Sequence, residues 1–229
     1  LSSARADSIN FTYRGSADRA DFSGEEPESA RINMTVVSLG DGQNTGPSGD
    51  VIDTFEDRNL NEYLGDTSDF DAGNAQLRST GQGEIYSPST GGLDNYPDRG
   101  DTIEFEYENQ QGNSGAFQFG MDDSGNGGYE LELNAGGTFQ LSERDGGRSD
   151  SDGSPALDTD QPYIIRIQWG SGSNKNRIEA TAYELGPNGG LGDEVVSVSI
   201  NVPSKFDDGT AIGFSAQGTG NVFDEAVVV

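Results

Sequence analysis

A chain of 229 residues suits one large all-β domain, or a domain with a smaller appendage, and is long enough to bury a core of its own. Its 40 acidic residues against 13 basic ones give a net charge of -27, so there is no basic patch to release counterions and nucleic acid is excluded as a partner. The absence of cysteine and histidine removes disulfides, thiol chemistry and the Ser-His-Asp triad, and no stretch approaches the ~20 apolar residues of a membrane span.

The chain opens at Leu1 with neither a methionine nor a signal-like apolar stretch, which reads as a processed or trimmed product. Two strands are predicted early, around Ile9–Arg14 and Arg31–Leu39, separated by an acidic, proline-containing loop. Each carries an acceptor sequon for N-glycosylation, at Asn10 and at Asn33. Residues 40–50, GDGQNTGPSGD, read as a linker. Two strands make a poor independent domain, so residues 1–50 are expected to be a β extension that packs on the main domain, residues 51–229, or on a partner chain.

Beyond the linker, period-two alternation recurs. Ile103, Phe105 and Tyr107 face one way, and Glu104, Glu106 and Glu108 the other. The next apolar rows are Phe117, Phe119 and Met121, then Tyr129, Leu131 and Leu133 with Glu130 and Glu132 opposed, then Phe139 and Leu141. Tyr163, Ile165, Ile167 and Trp169 follow, then Ile178, Ala180 and Ala182, then Val196, Val198, Ile200 and Val202, and last Ile212 and Phe214. Such alternation marks strands with one wet and one dry face. Glycine-rich turns such as DSGNG at 123–127 separate them, and no stretch sustains a helical period. The predicted fold is an all-β sandwich of two antiparallel sheets.

The carboxylates are spread along these strands rather than gathered in a tail, so the chain does not read as disordered. A surface of this charge repels itself in dilute buffer. In molar salt the Debye length shrinks to ~3 Å and the repulsion is screened. The composition therefore points to a high-salt setting, a halophilic archaeon or one of its viruses.

Residues 51–229 resemble the laminin G/concanavalin A-like jelly roll. The resemblance rests on the order of VIDTFEDRNLNEYLGD, GQGEIYSP, DTIEFEYEN, GAFQFGMDD, the hairpin GGYELELNAGGTFQLSE, the pair QPYIIRIQW and NRIEATAYEL, and the closing NVFDEAVVV. It implies a two-sheet jelly-roll sandwich in which the first and last strands lie side by side. The terminal valines would then form a buried face, and Asp224 and Glu225 would sit near Asp53, Glu56 and Asp57. Hard oxygen ligands converging from two strands suit calcium, and the resemblance implies a structural calcium in many such domains. A weaker calcium loop starts at Asp122, Ser124 and Asn126, but its twelfth position is Leu133 where a glutamate is needed.

Jelly-roll glycoside hydrolases carry Glu-x-Asp-x-Glu on one strand, and Glu104, Glu106 and Glu108 approximate it with Glu in the middle. At ~3.3 Å per residue the outer two lie about 13 Å apart at the backbone, whereas a retaining pair needs its carboxyl groups about 5–5.5 Å apart. Catalysis is thus the runner-up to a solvated acidic face. Tyr86, Tyr96 and Tyr183 are candidates for sugar stacking. The reading is a non-enzymatic attachment module at a cell or virion surface, binding a glycan or an envelope or virion protein. The alternative is a structural subunit of a virion or surface filament, a homo-oligomer or assembly that uses residues 1–50 as a strand donor.

Overall fold

The computed structural model describes residues 49–134, 138–152, 157–170, 176–187, 189–202 and 211–229. The described residues all fall within one compact unit, 44–229. The early strands, the two sequons and any assembly role of residues 1–48 lie outside the described residues. Among those residues no helix is long and apolar enough to cross a membrane.

The described residues form fifteen strands. They are β1 (Asp50–Asp53), β2 (Leu64–Gly65), β3 (Phe70–Asp71), β4 (Leu77–Ser79), β5 (Gln82–Ser87), β6 (Thr102–Asn109), β7 (Gly115–Met121) and β8 (Tyr129–Leu133). Then follow β9 (Phe139–Glu143), β10 (Ser149–Asp152), β11 (Pro162–Trp169), β12 (Arg177–Leu185), β13 (Leu191–Asn201), β14 (Ala211–Gln217) and β15 (Asn221–Val228). The first sheet runs β13-β12-β11-β6-β15-β4-β3, with β1 added to β15, and the second runs β10-β9-β8-β7-β14-β5-β2. Every pairing is antiparallel. This is the all-β, two-sheet sandwich that the alternation predicts.

The alternating apolar residues meet between the sheets. Phe105 of the first sheet lies 4.8 Å from Phe117 of the second, Phe223 lies 5.0 Å from Phe214, and Trp169 lies 5.3 Å from Phe119, all between ring centroids. Each of these rings is buried. At these separations, tilted or edge-on pairs add about 0.5–1.5 kcal/mol apiece to the burial of their area. One polar cluster crosses the core: the Tyr107 hydroxyl lies 2.8 Å from Asn221 Oδ1 and 3.0 Å from the Leu133 carbonyl. Asn221 is fully buried and donates to Ser79 Oγ through its backbone N–H.

The first and last strands do lie side by side, with Val51 opposite Val227 and Asp50 opposite Val228. The valines, however, do not share one buried face. Asp224 pairs with Glu106 but Val227 pairs with Glu104, so three steps on β15 match two on β6. That is a β-bulge, and Glu225 adopts a left-handed φ of 48° within it. Beyond the bulge Val227 shares the outer face with Glu104, Val228 packs against the core beside Ile103, and Val229 is half exposed.

Candidate functional site

The outer face of the second sheet carries one unbroken row across seven strands. Leu64 pairs with Tyr86, Tyr86 with Gly213, Gly213 with Gln118, Gln118 with Glu130, Glu130 with Ser142 and Ser142 with Ser149. Directly opposed residues share a face. Their chain neighbours Ile85, Phe117, Phe214, Leu131 and Leu141 fill the core, so this row points away from it. At ~4.8 Å between strands the row is about 29 Å long.

A polar network is built over the middle of this row. Gln118 is completely buried although it faces outward. Its Nε2 donates to Glu84 Oε2 at 3.2 Å and to Glu130 Oε2 at 2.9 Å. The Arg144 guanidinium donates to Glu84 Oε1 at 2.7 Å, to the Gly125 carbonyl at 2.6 Å and to Met121 Sδ at 2.7 Å. Arg144 is itself largely buried, which makes its pair with Glu84 more rigid than a surface ion pair. Gln118 Oε1 has no hydrogen-bond partner and lies over Gly213, where an added Cβ would stand 2.7 Å from it. The floor between Tyr86 and Gln118 therefore has to stay free of a side chain.

Two loops fix this arrangement. In the turn after β7, Asp122 Oδ1 accepts the backbone N–H groups of Ser124 and Asn126, at 2.8 and 3.0 Å. Asp123 Oδ1 accepts the N–H and hydroxyl of Ser89, at 2.8 and 2.7 Å, which lowers its pKa. The turn presents Gly125, with φ of +74°, to the ring of Tyr86. The hairpin between β9 and β10 supplies Arg144 and Arg148, which flank a cleft of about 430 Å³ with Glu130, Glu143, Ser142 and Ser149. Glu143 is buried and Arg148, 3.7 Å from it, is half exposed. Carboxylates that accept, guanidinium groups that donate and hydroxyls that do both are thus interleaved along one surface, a pattern that matches a ligand rich in hydroxyls.

The residues singled out from the sequence fall in several places. Tyr86 is on this row. Tyr96 packs inside a loop, its hydroxyl 2.8 Å from Ser87 Oγ. Tyr183 lies on the outer face of the first sheet, where the Arg166 guanidinium sits 5.8 Å from its ring. Asp122, Ser124 and Asn126 hold the turn just described.

Glu104, Glu106 and Glu108 share the outer face of the first sheet. Glu104 is buried and held by Arg166, and Glu108 accepts from Gln110 Nε2 at 3.0 Å. The pKa of Glu106 is pushed up to about 7 by burial first, then by Asp224, Glu225 and Glu108. Asp224 and Glu225 are also raised, chiefly by burial. Asp53 stands apart from them: its carboxylate accepts the Phe55 N–H at 2.7 Å and the Tyr63 hydroxyl at 2.8 Å, and burial raises its pKa to about 6. Asp57 binds Asn59, and Glu56 acts on the field of Asp224 and Glu225. The five residues named for calcium therefore divide between two surroundings. Among the described residues no three or more acidic side chains are arranged to hold a metal ion.

Glu84, Gln118 and Arg144 were not legible as site residues, and Glu130 read only as the wet face of a strand. The available signal was Arg144 itself, a cation beside a glycine-rich hairpin in a chain with few cations.

No family model matches the sequence, and no curated protein matches it. Solved structures do resemble it. A Bacillus subtilis protein of unknown function with a galectin-like fold is 13% identical, with a TM-score of 0.50 over 80% of this chain and 97% of that one. A Bacillus licheniformis β-glucanase is 10% identical, with a TM-score of 0.49 over 79% and 97%. The carbohydrate-binding module CBM66 from Bacillus subtilis is 16% identical, with a TM-score of 0.46 over 74% and 96%. At 13% identity the likeness to the first of these is one of fold.

Proposed function

We propose that this chain is a non-enzymatic glycan-binding module whose site is the outer face of the second sheet. One observation carries the reading: Arg144, Glu84, Gln118 and Glu130 form a connected network beside a polar cleft, on a sheet face where simple solvation would need no such network. Interlocked side chains of this kind present fixed donors and acceptors, so little ordering remains to oppose binding. The setting we propose is a cell or particle surface in concentrated salt, which the net charge of -27 favours.

The same observation weighs against hydrolysis. Glu84 and Glu130 both accept N–H groups from one amide, and Glu84 accepts a guanidinium as well. Cleavage of a glycosidic bond requires one carboxyl of a pair to donate a proton. On the first sheet, Glu104 is buried beneath its ion pair and out of a substrate's reach.

The test is a glycan array followed by calorimetry on the bound polysaccharide, with native chain, Glu130→Gln and Arg148→Ala. The expected result is a bound but uncleaved polysaccharide, with affinity at least tenfold weaker in each variant. Cleavage, absence of any bound polysaccharide, or native affinity in both variants would overturn the reading.

A further inference from the structure

The glycan-binding reading says where a ligand sits, and the geometry of the row goes further, to the ligand's length and charge. We infer that the site takes an extended, uncharged glycan chain lying across the strands, several sugar rings long, with one end over Tyr86 and Leu64 and the other in the cleft between Arg144 and Arg148. This rests on the glycan-binding reading.

The row is continuous in register through all seven strands; its middle members Gly213 and Gln118 are buried, Gln118 beneath Glu84 and Glu130, and its length of about 29 Å at ~4.8 Å per strand exceeds what one or two sugar rings cover. The groups at its two ends differ in kind. Leu64 is 49% exposed beside Tyr86, an apolar platform of the sort on which a sugar face stacks. At the far end, Ser142, Ser149 and the two arginines line a polar cleft suited to gripping hydroxyls. Between them Gly213 is buried and leaves room for Gln118 Oε1, so the middle of this surface is the network of Glu84, Gln118 and Glu130 rather than bare backbone. A ligand confined to the cleft would leave the other half of this surface unexplained.

Arg144 already faces Glu84, and Arg148 faces Glu143. Glu130 adds a further carboxylate, and the surrounding chain carries -27. A uronate or sulfate entering this surface would meet more like charge than opposite charge. A hydroxyl both donates and accepts, so it uses the carboxylates and the guanidinium groups alike.

The probes are four neutral polysaccharides (laminarin, levan, mannan and dextran) and two acidic ones (alginate and polygalacturonate), followed by a length series of oligosaccharides from the one that binds. A neutral polysaccharide should be preferred. Affinity should climb at least tenfold from the disaccharide to the chain that spans the row, and then level off. Tyr86→Ala should bring the long chain's affinity down towards the short one's while the disaccharide is unaffected. Leu64→Ser, at an exposed position, should repeat the loss in a fold left intact. Equal affinity for disaccharide and long chain, equal loss for both in the Tyr86 and Leu64 variants, or preference for an acidic polysaccharide would overturn this inference while leaving glycan binding in place. Absence of binding to every polysaccharide would remove the functional reading and the inference with it.

Discussion

Asp224 on β15 stands directly opposite Glu106 on β6, so two half-buried carboxylates form a cross-strand pair on the outer face of the first sheet. Like charges so placed oppose the sheet they sit on. The bulge after Asp224 then turns Glu225 into the same neighbourhood, with its Oε2 buried and without a hydrogen-bond partner.

This arrangement predicts a stability that falls as the pH rises. The folded-state pKa of Glu106 is raised from 4.5 to about 7, by burial first and then by Asp224, Glu225 and Glu108. The folded chain therefore binds this proton more tightly than the unfolded chain does. Its contribution is fully present below the unfolded value, is lost between about 4.5 and 7, and is absent above that. Glu106→Gln should raise stability above neutral pH by on the order of 1 kcal/mol, a figure reduced for the partial exposure of the group. Urea unfolding of both chains at about pH 5 and about pH 8 measures it, and a gain confined to the higher pH is the expected result.

The buried amide of Asn221 predicts a large loss. It touches Tyr107, Asn109 and Ser79 of the first sheet, and donates to the Ser114 carbonyl just before β7 of the second. Asn221→Ala would leave the Tyr107 hydroxyl, the Asn109 amide and the Ser79 hydroxyl short of partners. A cost of about 2–4 kcal/mol follows from unsatisfied groups of this kind. Denaturant unfolding gives the figure, and a cost below about 1 kcal/mol would mean that water replaces the amide.

Much of the sandwich was legible because alternation survives the acidic composition. Ile103, Phe105 and Tyr107 on β6 and Tyr163, Ile165, Ile167 and Trp169 on β11 all face the core as period two requires. The two-residue strands Leu64–Gly65 and Phe70–Asp71 were not legible, since so short a stretch holds no period and is held by its partner strand. The bulge at Glu225 was hidden for a related reason: nothing in DEAVVV marks the extra residue, and only pairing with β6 reveals it. The site was less legible than the fold. Glu84 and Glu130 lie far apart in the chain and meet only because Gln118, on a strand between theirs, reaches both. A Glu on the wet face of a strand looks the same in sequence whether it is solvated or bridged.

Salt provides a test of the charge argument that does not involve the site. With -27 on the chain, repulsion acts over ~10 Å at about 0.1 M salt and over only ~3 Å near 1 M. The melting temperature should rise by at least several degrees between about 0.1 and 2 M potassium chloride. Chloride is the right choice because sulfate would also strengthen apolar burial. An unchanged melting temperature would remove self-repulsion as a determinant of stability.

The loop after β1 depends on one carboxylate. Asp53 accepts the Phe55 N–H and the Tyr63 hydroxyl, and Phe55 holds a left-handed φ of 53° that a bulky residue seldom adopts. The reward for that strain is packing: the Phe55 ring lies 5.8 Å from Phe214 and 6.4 Å from Tyr63, all three buried in the core. Removing the carboxylate frees the Phe55 N–H and strands the Tyr63 hydroxyl, so Asp53→Ala should cost about 2–3 kcal/mol and Tyr63→Phe about 1 kcal/mol. The two changes remove the same hydrogen bond, so the double variant should cost less than their sum by at least 0.5 kcal/mol, as coupled neighbours do. Equilibrium unfolding of the four chains completes the cycle, and strict additivity would show that the Asp53–Tyr63 contact contributes nothing to holding the loop.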